Sequence, residues 1–157
     1  MRHGMSMKRL CALGTIALAI AACSPDKKID PSATSVKPVI QEVFKSSQTL
    51  NGTPIKYPDG KPELRLYRVE IPAGGTIPLH THSAPMMVYV QGVESGSLLN
   101  TRVKPDGSEI KTVFKPGEAF VEGANEPHFV ENVGEKPTVI WVTVASVEGM
   151  PTTQFID

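Results

Sequence analysis

Cysteine is nearly absent from this chain of 157 residues: Cys11 and Cys23 are the only two, and none follows Ser24. Disulfides therefore cannot hold the bulk of the chain together, and a Cys-His nucleophile is excluded there too. An excess of either charge is also missing, with 16 Lys and Arg against 16 Asp and Glu. Three of the basic residues (Arg2, Lys8 and Arg9) lie before residue 23, so the remainder of the chain carries a net charge of about −3 with histidines neutral. Nucleic acid is thus a poor partner. No apolar run reaches membrane-spanning length, the longest being Leu10 to Ile20. No stretch holds a helical period for three turns, the start at Val39 being the nearest to one, and no repeat or low-complexity segment is evident. The remaining composition, 40% hydrophobic and 20% charged, suits one soluble globular domain with a single core.

The apolar run that is present reads as a secretory signal: Lys8 and Arg9 precede it, and small residues follow it in "IAAC". Ala21, Ala22 and Cys23 resemble the lipobox of bacterial lipoproteins, which implies lipidation of Cys23 after removal of residues 1–22. In that family, Ser24 after the cysteine implies delivery to the outer membrane, on its periplasmic side. An ordinary secreted protein cleaved near the same place is the alternative. Residues 23–38, "CSPDKKIDPSATSVKP", are polar and proline-rich, and read as a flexible tether of roughly 20 Å root-mean-square span.

From residue 39 to residue 157 the chain breaks into short apolar or alternating runs, among them "LRLYRVEI", "MMVYVQ", "SLLNTRV", "AFVE", "HFVEN" and "TVIWVTVA". Turn signals Asn51-Gly52, Asp59-Gly60 and Asp106-Gly107 punctuate them. Such spacing predicts an all-β sandwich or barrel of eight or so strands. The run around Trp141 predicts a strand buried on both faces.

Histidine is scarce but placed together. His3 lies in the signal, and the other three are His80, His82 and His128. Residues two apart on a strand point to one face, about 6.5 to 7 Å apart, so His80 and His82 can aim at one point. His128 opens another predicted strand. Three imidazoles would fill half an octahedral shell, leaving open positions for substrate, water or dioxygen. The plainer alternative is that they only satisfy buried hydrogen bonds.

"GGTIPLHTHSAPM" followed by "VYV", and "GEAFVEGANEPHFVEN", resemble the two conserved motifs of the cupin superfamily, which are small double-stranded β-barrels of jelly-roll type. Gly74, His80 and His82 match the first motif; Gly117, His128 and Asn132 match the second. The resemblance implies metal binding by His80, His82 and His128. It also implies a structural role for Asn132, and homodimers formed through an apolar strand such as Thr138 to Ala145. Departures are specific: Met86 stands where the family has a Glu ligand, Gly123 where it has Pro, and Asn125 where it has Gly.

Losing that carboxylate leaves a divalent ion its full charge, which favours anionic oxygen ligands. Family members with three histidines and no carboxylate include thiol and diketone dioxygenases. Met86 or Met87 could serve as a soft ligand or as adaptable pocket packing. Among acids, Glu126 is the candidate fourth ligand or base, whereas Glu122 and Glu131 are expected on the solvent face. The expectation is an envelope-anchored cupin holding iron, manganese or nickel, with copper or zinc as alternatives. It would act on a small organic acid or enol as a dioxygenase or isomerase. A barrel that binds a small ligand or a metal without turnover is the competing reading.

Overall fold

The computed structural model describes residues 37–157. The expected signal, most of the tether and Cys23 lie outside the described residues. A compact unit runs from Ile40 to Asp157. Among the described residues there are nine strands and no helix. These are β1 (Pro62–Ile71), β2 (Thr76–His82), β3 (Met86–Val90), β4 (Leu98–Val103), β5 (Glu109–Phe114), β6 (Ala119–Glu122), β7 (His128–Asn132), β8 (Thr138–Val147) and β9 (Thr153–Phe155). They form two antiparallel sheets, ordered β1-β8-β3-β6 and β5-β4-β7-β2-β9. The all-β barrel expected from the run lengths is what forms. Residues 37–46, including the Val39 stretch, take neither helix nor strand, and Val39 and Ile40 are exposed.

Alternation decides which residues meet inside. Met86, Val88 and Val90 on β3 stand beside Val144, Val142 and Ile140 on β8 and Phe120 on β6 in the same sheet, all within one buried cluster. Phe114 stacks on Phe120 with ring centroids 4.0 Å apart. Burying a side chain of this size stabilises the fold by about 1.5 to 3 kcal/mol. The β8 expectation is corrected here. Its inner residues are buried, but Trp141 on the other face is 37% exposed and donates Nε1–H to Gln91 Oε1 at 3.0 Å. A continuous apolar run cannot by itself distinguish a strand covered on both faces from one covered on one.

Two departures from the cupin pattern have local causes. Asn125 takes the left-handed conformation, φ 58°, that a glycine would take, and Asn tolerates it better than most residues. Its backbone N–H donates to His82 O at 2.8 Å, tying the loop before β7 to the end of β2. A side chain at Gly123 would put its Cβ 2.5 Å from the Glu126 carboxyl carbon, so glycine there leaves that carboxylate its place.

Candidate metal centre

The β2–β7 register sets His80 opposite His128, and His82 ends β2 on the same face as His80. All three imidazoles are buried, at 4%, 4% and 2% exposure for His80, His82 and His128. One ring nitrogen from each lies within 4.8 Å of the others. The spacing expectation is met: residues from two strands converge on one point.

Each ring is also oriented. The Nδ1 atoms lie 2.6 Å from Pro78 O for His80, 3.1 Å from Thr152 O for His82 and 2.8 Å from Glu126 O for His128. A carbonyl oxygen can only accept, so every Nδ1 carries the hydrogen and donates it. The Nε2 atoms are thereby left as the ligating positions, which is how backbone partners commonly set a metal-binding tautomer. Thr152 comes from the segment leading into β9, an element the sequence runs did not reveal.

The structure corrects the assignment of acids. Glu122, expected on the solvent face, is 7% exposed and enters the cluster. Its Oε2 lies 3.2 Å from His82 Nε2, and its Oε1 lies 3.1 Å from His128 Nε2. Asn100 Nδ2–H donates to Oε1 at 2.9 Å. Glu126, the expected fourth ligand or base, instead accepts from Thr49 Oγ1 at 2.9 Å, and only its backbone carbonyl touches a site histidine. A usable signal for Glu122 existed. If Phe120 packs inward in "AFVE", then Glu122, two residues on, does too. Met86 is buried and lines the cavity as expected, whereas Met87 on the opposite face is 41% exposed. Asn132 has the structural role expected of it, joining the backbone around Ile71, Gly134 and Lys136.

Charge and burial pull against each other here. Burial chiefly, with the neighbouring His128 and His82 adding to it, pushes the His80 imidazole down to about 4. Burial opposes the charge of Glu122, yet His128 and His82 overcome it and hold the carboxyl well below the usual range. Burial likewise opposes a charged His128, and Glu122 reverses the balance, raising it.

With each Nδ1 donating, a neutral His82 or His128 presents an Nε2 lone pair to a carboxylate oxygen. Both Nε2 atoms are buried without a hydrogen-bond partner among the described residues. Lone pairs opposed at 3.1 to 3.2 Å repel unless a cation lies among them, either a proton on a ring or a metal ion bound by all of them. The residues therefore fit a divalent ion, and the cluster is a candidate divalent-metal site.

It opens on a cavity of about 390 Å³. Around the polar group the wall is mostly apolar, with Tyr67, Ile77, Met86, Ile140, Val142 and Phe155 contributing. Among the described residues, no Lys or Arg lines it.

The cupin family model matches residues 24–153. This chain belongs to the cupin family. Solved structures similar to this cupin include the oxalate decarboxylase of Lactobacillus farciminis in its formate complex, at 18% identity and TM-score 0.51, covering 59% of this chain and 26% of that one. A Bacillus subtilis oxalate decarboxylase, described for its Mn(II) centres, matches at 20% identity and TM-score 0.51, covering 59% and 24%. Peruvianin-I, a cysteine peptidase from Thevetia peruviana latex, matches at 17% identity and TM-score 0.51, covering 73% and 77%. The cupin thus spans about a quarter of the length of the two decarboxylases. At these identities the likeness is one of fold. A search of curated proteins finds no match.

Proposed function

We propose that this cupin holds a divalent ion on His80, His82 and His128 and presents it to a small, largely apolar molecule bearing one acidic oxygen function, a carboxylate or an enol. The observation that carries the reading is the set of three buried imidazoles, each held with Nδ1 on a backbone carbonyl and with one ring nitrogen of each within 4.8 Å of the others. When bound, the ion supplies a Lewis acid for that oxygen, and iron, manganese or nickel would suit a dioxygenase or isomerase. The protein's own residues orient the imidazoles, seat the apolar part of the ligand against Met86, Ile140 and Val142, and keep bulk water from the cluster.

The cavity wall narrows the ligand class. Among the described residues, a compact dianion such as oxalate would find no Lys or Arg there to balance its second charge, while an apolar body gains from burial. The volume lies at the small end of ligand pockets, which suits a metabolite rather than a polymer. A non-catalytic binding barrel is the second reading. It is supported by Glu122 being held by Asn100 and close to two imidazoles rather than standing free as a base.

Metal content decides the first part. The full chain, extracted in detergent and purified without a histidine tag, should carry a stoichiometric ion by mass spectrometry, and the combined His80→Ala, His82→Ala variant should carry none. Wild-type protein that stays empty after reloading with iron, manganese, nickel, copper and zinc would refute the reading. Envelope anchoring through Cys23 is part of the proposal and rests on the sequence "IAACS". Incorporation of labelled fatty acid into wild type but not Cys23→Ala is the expected outcome.

A further inference from the structure

The residue at the family's carboxylate position, Met86, has a direct cross-strand partner. In the β3–β6 ladder that partner is Glu122. Opposed residues of an antiparallel pair project from the same face, and both line the cavity. Cupins of the usual pattern carry an acid on the first of these strands; here the first carries a thioether and the acid stands beside it on the second.

We infer that Glu122 is the fourth protein ligand of this centre, the carboxylate having changed strand across the Met86–Glu122 pair. The inference rests on the proposed metal site and extends it to a residue outside the family's ligand pattern. Three observations carry it. Glu122 is buried with its two oxygens directed at two different imidazole nitrogens, 3.2 and 3.1 Å away. Those nitrogens, His82 Nε2 and His128 Nε2, are buried without hydrogen-bond partners among the described residues, so the carboxylate is aimed at the same point as the histidines. Ligands at neighbouring positions around an ion, each about 2.1 Å from it, stand roughly 3 Å apart, which is the spacing seen. Asn100 fixes the carboxylate through Oε1 without consuming Oε2.

Chemistry gives the placement a consequence. Three neutral imidazoles leave a divalent ion its full charge in a mostly apolar chamber, and one carboxylate halves it. The departure at Met86 therefore does not leave the centre without an acid. It moves the acid from β3 to β6 and leaves an apolar side chain at the family's position.

The test is binding of manganese(II) and cobalt(II) to the full chain, by competition with a chelating dye and by the visible spectrum of the cobalt form. Glu122→Gln keeps the shape and the Asn100 contact, and circular dichroism verifies its fold. It should lose at least about 100-fold in affinity, beyond the roughly 10 to 100-fold loss of an outer partner, with an altered cobalt spectrum. Combined Met86→Glu, Glu122→Met, which returns the acid to β3, should regain affinity relative to Glu122→Gln. If Glu122→Gln binds within about 10-fold of wild type with an unchanged spectrum, Glu122 is not a ligand, although the three-histidine site survives. A double variant no better than Glu122→Gln overturns the change of strand. Wild type that takes up neither ion removes the metal reading itself, a result separable from either.

Discussion

Strand β7 puts His128 at one end and Asn132 at the other, four residues apart and both buried. At the Asn132 end every polar group is matched. Nδ2 donates to Ile71 O at 2.9 Å and to Lys136 O at 2.8 Å, while Oδ1 accepts from Gly134 N at 2.8 Å. Space is closed as well, since a Cβ on Gly96 would lie 2.9 Å from Asn132 Oδ1. At the His128 end, buried Nε2 atoms lack hydrogen-bond partners among the described residues, and a carboxylate stands 3.1 to 3.2 Å from them beside a cavity. The same strand thus closes the fold at one end and leaves unmet coordination at the other. Unmatched buried polar groups are costly, and they persist where a ligand can satisfy them.

The largest effect expected from breaking the contrast is at the closed end. Phe114 lies opposite Leu98, which lies opposite Asn132, and its ring stacks on Phe120. Phe114→Ala should destabilise the metal-free protein by about 3 to 5 kcal/mol in urea unfolding, through lost burial and the cavity left behind. Metal affinity of the molecules that remain folded should be unchanged. Next comes Asn132→Ala, which removes one buried and two part-buried hydrogen bonds and should cost about 2 to 3 kcal/mol. It too should spare metal content per folded chain, and a variant that kept its stability but lost its ion would show that the two ends are not separable.

Much of the contrast could be read before the structure. His80, His82 and His128 stood out because the stretch after the signal holds no other histidine, and Asn132 because it falls at a cupin position. Period-two alternation gave the inward face of β3. What escaped was register, because which residue of β6 stands opposite Met86 depends on hydrogen bonding between segments far apart in sequence. Alternation from Phe120 could have turned Glu122 inward, but not placed it beside Met86, and Glu126 was favoured for its closeness in sequence to His128. Its side chain instead reaches Thr49, a contact that no spacing in the second motif encodes. The exposure of Trp141 was missed because apolar content alone does not say whether a second layer covers a strand. Thr152, whose carbonyl orients His82, lies beyond the last run with a clear strand pattern.

Asn100 sharpens the comparison from the open end. It is fully buried, and its side-chain hydrogen bond to the centre is to Glu122. Asn100→Ala should lower manganese(II) affinity by roughly 10-fold or more, as loss of an orienting partner does, by freeing the carboxylate to turn. The metal-free fold should lose about 1.5 to 3 kcal/mol, the scale of one hydrogen bond to a charged group. A chelator competition run beside urea unfolding separates the two quantities. A large loss of stability with intact affinity would place Asn100 with Asn132 as a fold-closing residue.

The smallest effect belongs to Met86, and it discriminates between two roles for that side chain. As cavity wall, Met86 contributes volume and apolar surface, both of which leucine nearly reproduces. Met86→Leu should then shift stability by less than about 1.5 kcal/mol and leave manganese and copper affinities alike unaltered. As a thioether ligand it would matter selectively, because a soft sulfur favours copper(I) over the harder divalent ions. Cu(I) affinity that falls in Met86→Leu while Mn(II) affinity holds would make Met86 part of the coordination shell. Equal retention of both makes it packing, and the position the cupin pattern reserves for an acid is then wall, with the acid's work left to Glu122 on the neighbouring strand.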